Sequence, residues 1–296
     1  MAMQSATMRR PIPRSIRKRA RPGRLLSRFL VYLALALMSI AAAVPFLWMV
    51  SSSLMSYQEA NTWPPHLIPG HLHFENYTYS LVTSLPIALF FWNSTKIAVL
   101  TVSGIVLSCS IIAYAFARVE FRGKGVLFAV LLATLMVPYQ VTMVPVFVFF
   151  KIIHWYGTHL PLWVPAWTGN AYWIFLFRQF FLTLPKELDE AAVMDGATPG
   201  RIWWSIYMPL SKPVLATVAV FSFVGSWNDF FNPLIYLSNE KLYTIQIALA
   251  YYRNQYTIDI PHLMSMSILA MLPTLALFVV AQRYFVQGIA LTGLKI

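Results

Sequence analysis

The chain alternates long apolar runs with short polar segments, and six of the runs have the length of a membrane-spanning helix. Such a helix needs about 20 mostly apolar residues. Because lipid offers no partner for open backbone groups, each run is predicted to be helical. Prolines inside several runs predict kinks, which neighbouring helices or a cavity can accommodate. The predicted spans are Phe29–Val50, Ile97–Ala117, Val126–Phe150, Leu160–Phe181, Val214–Leu237 and His262–Gln282.

Composition favours a membrane protein over a soluble one. The 296 residues are 58% hydrophobic and only 11% charged, which is too few charges to cover a soluble globule. A net charge of +12 would indicate a nucleic-acid partner in a soluble protein, but nine of the 22 Lys and Arg residues lie between Arg9 and Arg28, directly before the first span. This arm is therefore interpreted as a topogenic signal with some attraction to lipid headgroups, and no nucleic-acid partner is expected.

The distribution of positive charge predicts the orientation of the chain. With the N-terminus in the cytoplasm, six spans place 18 of the 22 Lys and Arg residues on the cytoplasmic side and only Lys96, Lys151, Lys241 and Arg253 on the other. Both termini of this multi-pass membrane protein are therefore predicted to be cytoplasmic. The apolar part of the first span is too long for a cleaved signal peptide, so the helix is expected to be retained.

The segment between the first two spans contains no Lys or Arg and is predicted to be an ordered external loop. His66, His71 and His73 lie in it, and solvated loop histidines are favoured over a metal site. Asn93, near the outer end of the second span, is interpreted as a helix cap or a sugar contact. The single cysteine, Cys109, excludes an intrachain disulfide.

The polar stretch ELDEAAVMDGATPGRIWWSIYMPL, residues 187–210, interrupts the apolar second half of the chain. Acidic residues at its start and Gly196 predict one short helix, and Thr198 and Pro199 predict the N-cap and first position of a second helix that ends near Pro209. Ala191 and Ala192 form a face without bulk that another protein could approach closely. An amphipathic linker lying on the bilayer is the alternative, and tryptophans favour it for the second helix.

This stretch resembles the EAA signature of the inner-membrane subunits of bacterial ABC importers. The run from Glu190 to Pro209 reads EAA, three residues, G, nine residues, I, one residue, MP, with Met208 where leucine is usual. The resemblance implies a coupling helix that docks in a cleft of a separate ATPase. The residues that it assigns to coupling are Glu190, Ala191, Ala192, Gly196, Ile206 and Pro209.

Further motifs are similar to the carbohydrate-uptake branch of these importers, and specifically to the second membrane subunit of maltose-type transporters. They are FENYTYS, NSTKIAVLT, YAFARVEFRGK, SWNDFFNPLIYL and VQGIALTGLKI. The resemblance implies an all-α, six-span type I importer permease. The expected organisation is a basic cytoplasmic arm (1–28), a first transmembrane helix (29–50), an extracytoplasmic loop (51–89), a permease core (90–283) with the coupling helix at 185–209, and a cytoplasmic tail (284–296).

The same resemblance implies partners and a division of labour. The expected partners are a sister permease, a dimeric cytoplasmic ATPase, an extracytoplasmic solute-binding protein and the lipid bilayer. The chain contains no G-x-x-x-x-G-K-[ST] phosphate loop, so ATP hydrolysis with its Mg²⁺ is assigned to the ATPase, and no cofactor is expected on this chain. Closure of the ATPase would then move the coupling helix and open a central cavity outward.

Polar residues inside the fifth predicted span are candidates for the substrate pathway. Trp227, Asn228, Asp229 and Asn232 are costly within a membrane, which favours a functional role. The structural alternative is that Asn228 and Asp229 satisfy backbone groups freed by Pro233 or pair with a partner subunit.

Other functions stay open at this level. The transported solute could be a sugar, glycerol phosphate or another polyol. A self-sufficient secondary transporter would also have six spans with broken helices, although Asp229 is the only carboxylate placed inside a span. No motif of an intramembrane enzyme is present. A purely structural anchor would have no use for the docking element.

Overall fold

The computed structural model describes residues 22–82, 86–255 and 259–292, with side chains over 26–81, 86–253 and 259–282. Within these ranges every regular element is helical, as predicted. The basic arm before Pro22 and the last four residues of the tail lie outside the described residues, so the expectations on them stay predictions.

The helices follow one another with short connections. In chain order they are α1 (Pro22–Ser53), α2 (Tyr57–Ala60), α3 (Glu75–Val82), α4 (Ile87–Arg118), α5 (Lys124–Ala133), α6 (Tyr139–Ile152), α7 (Leu160–Trp163), α8 (Ala171–Leu182), α9 (Glu187–Met194), α10 (Pro199–Ile202), α11 (Met208–Leu210), α12 (Lys212–Trp227), α13 (Phe231–Tyr236), α14 (Ile245–Gln255) and α15 (Ile260–Thr292). A π-helical turn, Trp203–Tyr207, joins α10 to α11, and 3₁₀ turns lie at Thr134–Met136, Val164–Thr168 and Glu240–Leu242.

Three of the described helices are long and apolar enough to cross a membrane unaided: Leu26–Ser53 of α1, α4, and Ile260–Gln282 of α15. Two further candidates are bent pairs. Lys124–Met136 and Tyr139–Ile152 meet at 98°, and Pro199–Leu210 and Lys212–Trp227 meet at 82°. By length and composition the described residues therefore provide three to five spans, where the apolar runs predicted six.

The fourth predicted span is not one helix. Gly169 interrupts it with φ +99°, a left-handed backbone that favours glycine. Asn170 then starts α8, because its Oδ1 accepts hydrogen bonds from the backbone N–H groups of Tyr172 (3.0 Å) and Trp173 (3.4 Å). The apolar run continues through this break, so run length alone did not reveal it.

The third and fifth predicted spans are also broken. The third bends at Val137–Pro138, which confirms the kink expected at Pro138, since proline cannot donate to the preceding turn. The fifth stops at Trp227 and resumes at Phe231 as the separate short helix α13. Asp229 therefore lies in a connection between helices and not inside a helix.

The second predicted span is longer than expected and contains polar residues. Asn93 lies inside α4, and its Nδ2 donates to the carbonyls of Lys241 (2.9 Å) and Tyr243 (3.0 Å). The interpretation of Asn93 as a helix cap is therefore wrong. Ser94 accepts a hydrogen bond from Ile245 N–H at 2.9 Å. Both polar side chains are satisfied by the later segment that packs on α4, which lets the helix begin ten residues early.

The chain divides into two compact units, Met1–Trp48 and Met49–Ile296. In the first, the described part of α1 exposes almost every side chain, including Phe29, Leu30 and Met38, each more than half exposed. A helix that is apolar all round fits a lipid or partner environment.

The second unit has two core clusters of buried residues. One joins the C-terminal half of α4 with α8, α9, α10 and the first half of α12. The other joins the N-terminal half of α4 with the end of α12, α14 and α15. Because α4 and α12 take part in both clusters, they connect the region of α9 with the region around Trp227.

Candidate coupling and pathway sites

The polar stretch folds as the sequence predicts, with α9 followed by a second helical segment. Glu187, Asp189 and Glu190 occupy the first turn of α9, where negative charge interacts favourably with the helix dipole. The second segment begins at Pro199 after the extended Thr198 and runs through the π-helical turn to Leu210. The second segment begins at Pro199 as predicted, whereas α9 begins two residues after Pro185, where the predicted coupling segment starts.

Gly196 ends α9 through its backbone conformation. Its φ is +76°, and its N–H donates to the carbonyl of Val193 at 2.9 Å. The next residue, Ala197, donates to the carbonyl of Ala192 at 2.9 Å. These two bonds form a Schellman motif, which satisfies carbonyls that the helix leaves open and reverses the chain sharply.

The six residues assigned to coupling divide into exposed and packed positions. Glu190, Ala191, Gly196 and Pro209 are exposed. Ala192 is only 8% exposed and packs in the chain's own core, and Ile206 is half-buried against the same cluster. Successive helical residues point about 100° apart. The expectation that Ala191 and Ala192 lie on one exposed face is therefore wrong, because only Ala191 is exposed.

The exposed edge of α9 carries mixed chemistry. Val193 is 62% exposed and Met194 87%, next to the Glu190 carboxylate and the small Ala191. Apolar side chains in solvent beside an acidic group indicate a surface suited to a protein partner.

Trp227 is part of the core. It is 1% exposed, its Nε1 donates to the carbonyl of Ala270 at 2.9 Å, and its ring stacks on Phe223 with centroids 5.6 Å apart. Trp227 was a candidate for the substrate pathway, but the chain itself encloses its indole in this structure.

Asp229 and Asn232 form a small polar cluster in the break between α12 and α13. Asp229 Oδ1 accepts the backbone N–H of Asn232 (3.1 Å), and Oδ2 accepts the Asn232 side-chain amide (2.8 Å). The hydroxyl of Tyr139 donates to Asn232 Oδ1 at 2.5 Å. Asp229 thus bonds the backbone N–H of Asn232, next to Pro233, while Asn228 is exposed and accepts from Gln246 Nε2 at 3.3 Å.

A pocket of about 220 Å³ lies against this cluster. Asp229, Asn232 and the rings of Tyr139, Phe150 and Tyr236 line it. A carboxylate and a carboxamide beside aromatic rings can hydrogen-bond and pack against a ring that carries hydroxyl groups. The sequence did not single out Tyr139, which lies about 90 residues away along the chain from Asn232.

The loop between α1 and α4, which was predicted to be external, is anchored by its own polar groups. Asn76 Nδ2 donates to the carbonyls of Ser53 and Met55, each at 2.9 Å. His73 Nδ1 lies 2.5 Å from Glu75 Oε1, and this hydrogen bond lowers the pKa of Glu75. Among the described residues, no three His, Cys, Asp or Glu side chains come together as metal ligands.

Comparison with known proteins identifies a family. Residues 109–291 match the model of the binding-protein-dependent transport system inner membrane component. Similar proteins include the arabinooligosaccharide permease AraQ of Halalkalibacterium halodurans (31% identity; 90% of this chain, 96% of the relative) and the lactose permease LacG of Rhizobium radiobacter (31%; 87% and 93%). The maltose/maltodextrin permease MalG of Photorhabdus laumondii is 30% identical over 85% of this chain and 90% of its own.

The fold is also found in a solved structure. A chain of a bacterial ABC transporter that imports the acidic polysaccharide alginate superposes with a TM-score of 0.80, at 21% identity, over 90% of this chain and 99% of that chain. The expected type I importer permease fold is therefore confirmed at the level of overall architecture. The relatives are transport subunits whose ATP hydrolysis belongs to a separate ATPase, so the prediction that this chain is not an enzyme is confirmed.

The match to the family model, together with relatives of 30% identity or more along nearly the full chain, shows that this chain belongs to the family of inner-membrane components of binding-protein-dependent transport systems, the permease subunits of ABC importers that work with an ATPase and a solute-binding protein.

Proposed function

We propose that this chain is one of two permease subunits that form the pathway for uptake of a carbohydrate, driven by a separate dimeric ATPase. The named relatives transport arabinooligosaccharides, lactose and maltose or maltodextrin, all of which are carbohydrates. The coupling role of the chain is supported by the exposed edge of α9. The other side of this helix packs in the core through Ala192, and the hydrogen bonds at Gly196 and Ala197 end the helix at a defined position.

In this proposal the chain crosses the membrane six times with both termini in the cytoplasm. The arm at 1–28 and the tail at 284–296 are cytoplasmic, 29–50 is the first span, 51–89 is the external loop, and 90–283 is the permease core. The broken fourth and fifth runs each cross as discontinuous helices, which a membrane tolerates where protein or a cavity covers the break. The excess of Lys and Arg on one side supports this orientation.

The coupling segment at 185–209 docks on the ATPase through α9. Glu190 offers its carboxylate to an arginine or a backbone donor, and Ala191 permits close approach. Gly196 sets the angle between α9 and the second helical segment. Ile206 and Pro209 fix the position of that second segment against the rest of the chain. ATP and Mg²⁺ are used by the ATPase, and this chain binds no cofactor.

The substrate pathway passes the break between α12 and α13. Asp229 and Asn232 present polar atoms to the pocket beside Tyr139, and Asn228 is exposed nearby. Trp227 supports this region from behind as a core residue. A carbohydrate hydroxyl can take the place of the Tyr139 hydroxyl as the donor to Asn232 Oδ1. Neither the Asn232 amide nor the Tyr139 hydroxyl is then left buried without a hydrogen-bond partner.

Reconstitution of the chain with its sister permease, ATPase and solute-binding protein in liposomes tests the proposal. Carbohydrates are expected to stimulate ATP hydrolysis and to accumulate inside, whereas glycerol phosphate and polyols do neither. Stimulation by glycerol phosphate alone would reject a carbohydrate substrate, and solute movement by the purified chain without an ATPase would reject the mechanism.

The Glu190→Lys variant tests the docking edge. Charge reversal is expected to abolish stimulated hydrolysis and to reduce co-purification of the ATPase, while membrane insertion stays normal. Glu240→Lys reverses a charge that is also exposed, on the predicted outer side, and is the matched control. Equal behaviour of the two variants would contradict the assignment of α9.

A further inference from the structure

Arg118 links two helices at the end of α4. It is the last residue of that helix, and its side chain is only 5% exposed. Its Nη2 donates to the carbonyls of Phe181 (2.7 Å) and Leu184 at the C-terminal end of α8. Carbonyls at a helix end lack intrahelical partners and carry partial negative charge, so a cation is stabilised there.

The same guanidinium faces the coupling helix. Asp189, in the first turn of α9, places Oδ2 3.6 Å from Arg118 Nε, and its side chain is 22% exposed. That oxygen also accepts the hydroxyl of Tyr207 at 2.6 Å. Tyr207 is fully buried in the π-helical turn, and Arg118 lies 5.4 Å from its ring centroid. Three residues thus connect α4, α8, α9 and the segment that leads to α12.

Apolar packing alone holds α9 weakly. The only buried residue of the helix is Ala192, which removes little apolar surface from water. Tyr207, by contrast, is enclosed by the rings of Tyr114 (5.0 Å) and Phe181 (5.3 Å). The Tyr207–Asp189–Arg118 contacts are therefore the strongest described attachment of α9 to this framework.

The cluster is not optimised for stability. Arg118 Nε and Asp189 Oδ1 are buried without a hydrogen-bond partner among the described residues. Replacing a buried ion pair by apolar residues often stabilises a protein, whereas removing one partner is costly. A buried pair with unused hydrogen-bonding capacity is better explained by the geometry it imposes than by the stability it adds.

We propose that Arg118, Asp189 and Tyr207 form a buried joint that fixes the coupling helix to the ends of α4 and α8, so that a displacement of α9 moves these helices as one body. That α9 is displaced by an ATPase rests on the proposed function, whereas the contacts of the joint lie entirely within this chain. These three are positioning residues that touch neither nucleotide nor solute. Because α4 also runs through the core cluster around Trp227, its movement reaches the pathway region.

Spin-label distances test the joint without nucleotide or substrate. Cys109→Ser removes the single cysteine, and labels at Met194→Cys on α9 and Val99→Cys on α4 occupy exposed positions. In the full chain in nanodiscs, a narrow distance distribution is expected. Tyr207→Phe and Asp189→Asn are expected to broaden it, while Tyr172→Phe, which removes an exposed hydroxyl from α8, leaves it unchanged.

Coupling in the reconstituted assembly tests the consequence. Loss of a charge-assisted hydrogen bond shifts the equilibrium between attached and detached α9 roughly tenfold. Uptake per ATP hydrolysed is therefore expected to fall by about the same factor in Tyr207→Phe and Asp189→Asn. The ATPase should still co-purify, because the exposed edge of α9 is intact. A merely structural role would lower the yield of folded complex and leave uptake per ATP unchanged.

Two outcomes would overturn the proposal. One is a distribution that stays narrow in both variants, which would mean that other contacts hold α9. The other is a broadened distribution with normal uptake per ATP, which would mean that the joint transmits nothing. If the wild-type assembly takes up no carbohydrate, the proposed function fails, and the distance measurement still decides whether the joint exists.

Discussion

At the scale of single residues, Gly196 and Gly200 form a matched pair within the coupling segment. An added Cβ meets no atom within 4 Å at either position, but only Gly196 has a positive φ, +76°. Alanine at Gly196 is therefore expected to destabilise the segment by about 1–2 kcal/mol through backbone strain alone. Alanine at Gly200, in the first turn of a helix, should be neutral or stabilising by up to about 1 kcal/mol.

Thermal unfolding of the two purified variants measures this difference, and stimulated ATP hydrolysis shows whether it reaches function. A lower melting temperature and weaker stimulation are expected only for Gly196→Ala. If both variants unfold at the wild-type temperature, the left-handed turn does not determine how α9 projects.

Residue-scale signals explain why this site could be predicted in part. A proline at a first helical position and a glycine just past a helix end act within a few residues, so the boundaries of α9 and the next segment were predicted to within two residues. Arg118 and Asp189 are 71 positions apart and are joined only by tertiary packing. The sequence offered only a basic residue at the end of an apolar run, so the joint was not predicted.

At the scale of elements, α4 packs against the broken fourth run through a close contact. A Cβ at Gly104 would overlap the indole ring of Trp167, and that indole is held by a hydrogen bond from Nε1 to the Leu100 carbonyl at 3.1 Å. Gly104→Ala is therefore expected to displace the ring and to cost about 1–3 kcal/mol through overpacking. Gly225 in α12 has open space around its Cβ position, so Gly225→Ala is the matched control.

Tryptophan fluorescence and thermal unfolding of the two variants would test this contact. A shifted emission maximum together with a lower melting temperature is expected for Gly104→Ala only. Identical melting temperatures would mean that the indole moves aside without cost.

Element-scale breaks were the least predictable part of the fold. Hydropathy predicts where a chain can cross lipid, but it does not report whether one helix or two make the crossing. The left-handed Gly169, the Asn170 cap and the Asp229 hydrogen bonds to Asn232 each interrupt a run whose apolar character continues. Prolines predicted the bend at Pro138 correctly because their effect on the backbone is local.

At the scale of the whole molecule, the proposed six crossings differ from a three-span arrangement in which only α1, α4 and α15 cross. Both arrangements place Trp63 outside and Met194 inside, so those positions test orientation. Ser238 distinguishes the two, because six crossings place it outside and three place it inside. Arg122 is cytoplasmic in both and serves as an internal reference.

Single cysteines introduced at these four positions, in a Cys109→Ser background, report sidedness through a membrane-impermeant maleimide. All four positions are exposed, so the chain itself does not block the reagent. In intact cells with a permeable outer envelope, labelling is expected at positions 63 and 238, and inverted vesicles should label 122 and 194. Labelling of position 194 from outside would mean that α9 lies on the outer side of the membrane. A cytoplasmic ATPase could not bind it there, and the proposed coupling role of α9 would be wrong.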